Sequence, residues 1–377
     1  MSSVKVLHIP NYYPPHIGGI EDVCYNVVTA MPDYNHRVMC FHDQKATCKD
    51  EVEGVPVVRA GVVKKLFSQS ISFSYYKELK KLFKEFNPDI VHFHTPNPLG
   101  SVYLLSLLPK KTKLIIHWHS DIIEQDLLYT FYRPIEKKLL KRADKILMTS
   151  PTYLTGSPAL NPWKDKLDVI PNTINTAKLD KQDGDDAGIA RIKQLYPGKK
   201  IIFTFGRHVP YKGLRYLIEA APLLNDDAVV VIAGKGPLTG KLKEMAAPVP
   251  NVHFIGRVSN DDLRYYLHAS DIFAFPSITR NEAFGLALAE AMYCGLPAVT
   301  YTIAHSGVNY VSIDKETGIE VENRNVQQLA DAFNKLLDDE ELREELSSNA
   351  VQRVNENFVN EAIKGKLDTI YLQMTQD

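Results

Sequence analysis

Hydrophobic positions along the chain gather into short β-branched runs, and between the runs apolar residues recur at helical spacing. Runs at 4–9, 37–41, 55–59, 90–94, 114–118, 145–149 and 167–170 read as strands. The stretches 20–31, 73–86, 99–107 and 122–142 read as the helices between them. The pattern then restarts, with strands at 201–205, 229–233, 252–255, 272–275 and 298–300 and helices at 214–221, 261–269, 284–293 and 326–337. Strands that are apolar throughout and alternate with helices imply parallel sheets covered on both faces. The chain is therefore read as α/β, with two doubly wound, Rossmann-like units in series. The expected bounds are 1–172 and 173–354, with the segment 355–377 a helix crossing back to the first unit. The polar stretch 178–188, which contains D-G-D-D, reads as a surface loop. Open α/β sheets bind ligands beyond the carboxyl ends of their strands. The chemistry is thus expected just after each strand, facing a central cleft between the two units.

Composition narrows the classes. Of 377 residues, 45% are hydrophobic and 24% charged, which is ordinary globular usage. The net charge of −1 excludes a globally basic nucleic-acid coat. Residues 1–172 carry 22 Lys/Arg against 17 Asp/Glu, and the remainder 22 against 28, so the halves differ in sign. No apolar run approaches a membrane span, and the apolar start reads as a strand and not as a signal peptide. Four cysteines without C-x-x-C spacing fit a reducing, cytoplasmic compartment better than a disulfide framework.

Candidate chemistry lies where the strands end. After the first strand, Gly18 and Gly19 open a helix, so backbone N–H groups and the helix dipole can receive phosphate. After the first strand of the second unit comes Gly206-Arg-His-Val-Pro-Tyr-Lys-Gly213. Arg207 and Lys212 there pair a planar fork with a point charge, a combination suited to a diphosphate. The strongest signal is Glu282-Ala-Phe-Gly-Leu-Ala-Leu-Ala-Glu290. Glu282 precedes a helix opened by Phe284 and Gly285, and Glu290 lies about two turns along it. The two carboxylates are too far apart for one acid/base dyad and read as anchors for two parts of an elongated ligand. N–H groups of Gly285 and Leu286 between them can take phosphate.

Two His-x-His pairs, His92/His94 and His117/His119, each project to one face of a strand. A carboxylate such as Asp121 would complete a zinc site. Strand-end histidines are more often hydrogen-bonded cleft groups, so no metal is expected, and His119 is placed beside a reacting group. Asp183-Gly-Asp185 has the D-x-D form that holds a divalent ion on nucleotide sugars, but it follows no buried strand and is read as unrelated to catalysis.

Taken together, Gly18-Gly19-Ile20-Glu21, His117–Asp121, Ile170-Pro-Asn172, Gly206-Arg207…Lys212-Gly213, Gly234-Lys-Gly-Pro237 and Glu282…Glu290 resemble the retaining glycosyltransferases of family 4, which share the two-domain GT-B fold. Trp118-His-Ser-Asp…Tyr132-Arg-Pro…Thr149-Ser-Pro looks like the subgroup that builds bacterial surface polysaccharides such as O-antigens, many of them mannosyltransferases. The resemblance implies an N-terminal acceptor domain, a C-terminal nucleotide-sugar domain, and a GDP- or UDP-linked sugar as donor with no cofactor. It implies that Glu290 binds the ribose, Arg207 and Lys212 the diphosphate, Glu282 and the Phe284–Leu286 backbone the sugar, and the turn at Arg257 and Val258 the base. Gly19 would lie by the phosphate and His119 beside the sugar. A glycan or lipid-linked oligosaccharide acceptor follows. The basic amphipathic stretches 73–86 and 133–145 suit peripheral contact with an anionic membrane at the cytoplasmic face. Two alternatives share the architecture: a sugar-nucleotide epimerase or hydrolase, and a non-catalytic nucleotide-binding protein. The joint presence of Arg207, Lys212, Glu282 and Glu290 disfavours the last.

Overall fold

The computed structural model describes residues 3–16, 18–66, 69–122 and 126–376. The chain divides into two compact units, Met1–Thr173 with Asn360–Asp377, and Ile174–Val359.

The first unit is built on strands β1 (Lys5–Ile9), β2 (Asn35–Phe41), β3 (Cys48–Val52), β4 (Val55–Ala60), β7 (Ile90–Thr95), β8 (Lys113–Trp118), β9 (Lys145–Met148) and β10 (Leu167–Val169), with a separate short ribbon of β5 (Lys64–Leu66) and β6 (Gln69–Ile71). The sheet order is β10-β9-β8-β7-β1-β2-β4-β3, parallel except for β3 on β4. Every residue of β7 is buried, as an inner strand covered on both faces requires. The chain leaves β1 to one side and returns to the other at β7, so the strand order reverses between them. The helix Asn360–Gln376 belongs to this unit and buries Ile363, Leu367, Ile370, Tyr371 and Met374. The Tyr371 hydroxyl lies 2.6 Å from His92 Nδ1, and Thr173 Oγ1 donates to Asn360 Oδ1 at 2.7 Å.

The second unit is an all-parallel sheet of β11 (Lys200–Phe205), β12 (Ala228–Ala233), β13 (Val252–Gly256), β14 (Ile272–Phe275), β15 (Ala298–Tyr301) and β16 (Gly318–Val321), in the order β13-β12-β11-β14-β15-β16. Its strand order reverses between β11 and β14.

The structure corrects two local readings. The stretch 178–188 is not a loop throughout: a helix runs Asp185–Leu195. Gly184 caps it in the left-handed region, φ 91°, and Asp185 and Asp186 in its first turn complement the dipole, so the acidic run is a helix start. Asp185 itself is buried and accepts from Arg264 Nε at 2.6 Å and Nη2 at 3.0 Å. That guanidinium holds its carboxyl down to about 2, so this residue of the D-x-D has a packing role. The helix expected over 355–377 begins at Asn360 and is described to Gln376, while residues 355–357 end a separate helix, Glu340–Asn357. Of the helix expected from residue 122, residues 123–125 lie outside the described ones, and the helix is described over Asp126–Arg142.

Candidate active site

In the second unit the candidate site lies at the reversal point of the sheet, on the loops that follow β11 and β14. Beyond β11 the chain passes Gly206 and Arg207 into a short 3₁₀ turn, Pro210–Lys212. Beyond β14 it passes Ser277 and Glu282 into the helix Leu286–Tyr293. The Ile278 N–H donates to the Tyr211 carbonyl at 2.9 Å, which ties the two loops together. The consequence is an ion pair between Lys212 Nζ and Glu282 Oε2. Ser277 Oγ donates to the same carboxylate oxygen at 3.1 Å, and Ser306 Oγ donates to the Glu282 carbonyl. Lys212 Nζ also stands 4.8 Å from the Phe275 ring centroid, held over its face.

Gly285 caps the helix Leu286–Tyr293 with φ 96°, a backbone that a side chain disfavours, and a Cβ there would meet Phe275 Cζ at 3.2 Å. The cap brings the N–H groups of Leu286 and Ala287, the first two of the helix, to the end of the sheet, while the Leu288 N–H already donates to the Gly285 carbonyl at 3.0 Å. Phe284 points the other way: it is buried edge-on against Phe358, ring centroids 5.4 Å apart. Only its backbone is available to a ligand. Glu290 is half-buried along the helix. Arg207 and Arg257 are exposed and Val258 is half-buried, each following a strand end. Gly234 sits against Gly206, where a Cβ would run into the carbonyl oxygen. The second unit therefore gathers Lys212, Glu282, Gly285 and Leu286 tightly, with Arg207, Arg257, Val258 and Glu290 on the surrounding elements.

In the first unit, Gly18 caps the helix Gly19–Ala30, and a Cβ there would meet Oε2 of Glu21 and displace that carboxylate. Burial raises the Glu21 carboxyl to about 7, partly offset by a backbone hydrogen bond and reinforced by Asp22. The sequence carries Glu21 within the glycine-loop motif but assigns it no role of its own. Its signal is a Glu in the first turn, separated from the glycine pair by Ile20. His119 is 6% exposed; its N–H donates to the Thr95 carbonyl at 3.2 Å, and its Nε2 lies 2.9 Å from His94 Nδ1. Burial lowers the His119 imidazole well below its ordinary range, so it is neutral. Asp121 does not join the histidines: its Oδ1 accepts from Trp118 Nε1 at 2.9 Å and Ser157 Oγ at 2.8 Å. His208 is a further buried histidine, with Nδ1 2.9 Å from Thr239 Oγ1, and it fixes the loop that follows β11.

Comparison with known proteins identifies relatives of both units. Residues 17–178 match Glycosyltransferase Family 4 and residues 186–353 match Glycosyl transferases group 1. The D-rhamnosyltransferase WbpZ of Pseudomonas aeruginosa is 31% identical over 363 residues, covering 94% of this chain and 92% of its own. The O-antigen chain mannosyltransferase C of Escherichia coli is 29% identical over 360 residues, covering 94% of each chain. Among solved structures, sucrose-phosphate synthase from Thermosynechococcus elongatus superposes with a TM-score of 0.79 at 18% identity over 99% of each chain. Anabaena HepE in complex with UDP and glucose does so with 0.78 at 18% identity, over 98% of this chain and 100% of its own. The strand order, the paired loops after β11 and β14 and these near full-length likenesses lead to one conclusion: the chain belongs to the family 4, group 1 glycosyltransferases and has the GT-B fold.

Proposed function

We propose that this glycosyltransferase moves a hexose, mannose or a close relative, from a nucleoside-diphosphate sugar to a lipid-linked glycan in surface polysaccharide assembly, with retention and without a divalent ion. The observation that carries the reading is the meeting of Lys212, Glu282 and the N-terminus of Leu286–Tyr293 where the sheet order reverses. Breaking the glycosidic bond leaves negative charge on the diphosphate and positive charge on the sugar carbon. The Lys212 ammonium, the Arg207 guanidinium and the first-turn N–H groups are fixed donors for that leaving charge, and such preorganised donors supply large barrier reductions. They fill the role a divalent ion plays elsewhere. Glu290 is assigned to the ribose, Arg257 and Val258 to the base, and Glu282 to the sugar hydroxyls. His119 and Gly19 of the first unit are assigned to sugar and phosphate by family resemblance.

Glu282 is already engaged by Lys212 and Ser277, which disfavours it as a nucleophile on the sugar carbon. The acceptor hydroxyl is therefore assigned to the face the diphosphate leaves. Its proton passes to a departing phosphate oxygen as the new C–O bond forms and the old one breaks. The choice of sugar rests on the names of the mannosyl- and rhamnosyltransferase relatives, and GDP is favoured as carrier because further relatives are named as GDP-mannose-dependent.

Peripheral membrane contact belongs to the same proposal. No helix among the described residues is long and apolar enough to cross a membrane. The helix Ser74–Glu85 turns Tyr75, Leu79, Leu82 and Phe83 into the first unit, so its apolar face is already covered. Exposed Phe73, at the start of that helix, Tyr76 on it and Phe131 on the helix Asp126–Arg142 are the groups assigned to lipid. Salt-sensitive flotation with anionic vesicles is expected, and its absence would argue for a soluble acceptor.

The test is turnover of GDP-mannose, GDP-rhamnose and UDP-glucose with and without a lipid-linked glycan, with the product's anomeric configuration read by NMR. Acceptor-dependent product of the donor's own configuration is expected. Free sugar regardless of acceptor would favour a hydrolase, a rearranged nucleotide sugar an epimerase, and inverted product would remove the same-face step.

A further inference from the structure

Six imidazoles share one face of the first unit's sheet: His8 on β1, His36 on β2, His92 and His94 on β7, His117 on β8, and His119 just past it. Strand register sets His8 opposite His92 and His94 opposite His117. Ring centroids are 5.2 Å apart for His8 and His92, 4.8 Å for His92 and His94, 5.3 Å for His94 and His117, and 6.2 Å for His8 and His94. Buried polar groups without partners cost free energy, so each nitrogen needs an account.

One hydrogen-bond chain fixes its own tautomers. His36 Nε2 lies 2.7 Å from the Met31 carbonyl, which can only accept, so that nitrogen carries the proton. In the neutral ring His36 Nδ1 is then an acceptor. It lies 3.0 Å from His8 Nε2, which must donate. His8 Nδ1 is left as a bare lone pair, fully buried and without a hydrogen-bond partner among the described residues. His94 is held through Nδ1 to His119, and its Nε2 is likewise buried without a partner. Cys24, on the helix Gly19–Ala30, is a buried free thiol. One ligand atom from each of His8, Cys24 and His94 lies within 4.8 Å of the other two.

We propose that His8, Cys24 and His94 form a site for a borderline-soft divalent metal ion, zinc in the first instance, with His8 bound through Nδ1 and His94 through Nε2. Two imidazoles and a thiolate are the ligand types such an ion selects. Its binding breaks no hydrogen bond of either histidine. His8 keeps its Nε2–H on His36, and His36 keeps the Met31 carbonyl, the outer shell that orients metal-bound histidines. Binding forms two metal–nitrogen bonds and one metal–sulfur bond, keeps one water of the entering ion as the fourth tetrahedral ligand, releases the Cys24 thiol proton to solvent and changes no oxidation state. Ligands of tetrahedral zinc stand roughly 3.3–3.8 Å apart, so the set closes by about 1 Å. The site joins β1, β7 and the helix that follows the Gly18-Gly19 loop.

The test uses the untagged full chain. Metal content is measured as purified, and chelator-stripped protein is titrated with Co²⁺ and with Zn²⁺. About one ion per chain is expected, with the visible bands of tetrahedral cobalt, a near-ultraviolet thiolate-to-cobalt band, and a Tm that rises with zinc. Cys24→Ser should lose the thiolate band at unchanged circular dichroism, His94→Gln should weaken cobalt binding at least about 10-fold, and the exposed His253→Gln should change neither. A cobalt spectrum of the unsubstituted chain without the thiolate band overturns the proposal and depends on no variant. So does binding that survives the Cys24→Ser, His94→Gln pair or that is lost only in His117→Gln.

Discussion

Lys212 and Glu282 are ion-paired although they lie on separate loops, one leaving the sheet at β11 and the other at the adjacent β14. Neither loop alone places its charge. The pair exists because the Ile278 amide bonds the Tyr211 carbonyl and Phe275 supports the ammonium from below. The carboxylate holds the ammonium in place, and Lys212 is assigned to the departing diphosphate. Lys212→Ala should retain its fold and raise the transfer barrier by about 2–4 kcal/mol, the range for losing one preorganised donor. Turnover would fall roughly 30- to 1,000-fold. Steady-state kinetics with circular dichroism as the fold control checks this.

Because the two side chains share one contact, their substitutions should not add. In a double-mutant cycle with Glu282→Gln, a coupling of about 0.5–3 kcal/mol in kcat/KM is expected. Additive effects would mean that Glu282 acts on the donor without positioning Lys212.

Glu21 supplies a pH prediction. Burial raises its folded-state carboxyl to about 7, from an ordinary 4.5. The folded chain thus holds this proton more tightly than the unfolded one. The stabilisation is complete below pH 4.5 and disappears as pH climbs through 7. Glu21→Gln should remove that slope and be the more stable protein above pH 7, by about 3 kcal/mol. Glu136, also raised to about 7 by burial, is present in both proteins and cancels. Urea unfolding of both between pH 4.5 and 8 reads the difference; parallel curves would contradict it.

Gly285→Ala tests the helix cap. A methyl group at φ 96° and 3.2 Å from Phe275 Cζ strains the backbone and presses on the ring that supports Lys212. A loss of about 1–3 kcal/mol in unfolding free energy is expected, together with weaker donor binding. Unchanged stability would show that the cap relaxes without cost.

Tyr371→Phe tests how the last helix is held. It removes the hydroxyl 2.6 Å from His92 Nδ1 and leaves a buried ring nitrogen without its partner. The expected cost is about 1–3 kcal/mol, read as a lower Tm.

The parallel strands were legible because burial on both faces writes them as apolar runs, as in Ala228–Ala233, where all six residues are buried. The edge strand Cys48–Val52 was not: it is antiparallel, and its Lys49, Asp50 and Glu51 are exposed. The helix Glu340–Asn357 buries only Leu346, Ala350 and Val354, too narrow an apolar stripe to stand out. In the site, the spacing of Glu282, Gly285 and Glu290 was readable because one loop and one helix carry all three. The pairing of Lys212 with Glu282 was not, since it depends on which strands are neighbours. The histidines show the same limit. Period-two spacing placed His92 with His94 and His117 with His119, but the partners His8, His36 and Cys24 come from register and helix packing that no local pattern encodes.

The central claim is that the loops after β11 and β14 bind the diphosphate of a nucleotide sugar. It is tested most directly by calorimetric titration of GDP, UDP and GDP-mannose into the full chain and into Lys212→Ala, each with and without Mg²⁺. The account predicts saturable binding of at least one of these ligands, insensitive to Mg²⁺ and at least about 30-fold weaker in the variant. Equal affinity of the two proteins for that ligand, or binding that requires Mg²⁺, would contradict it.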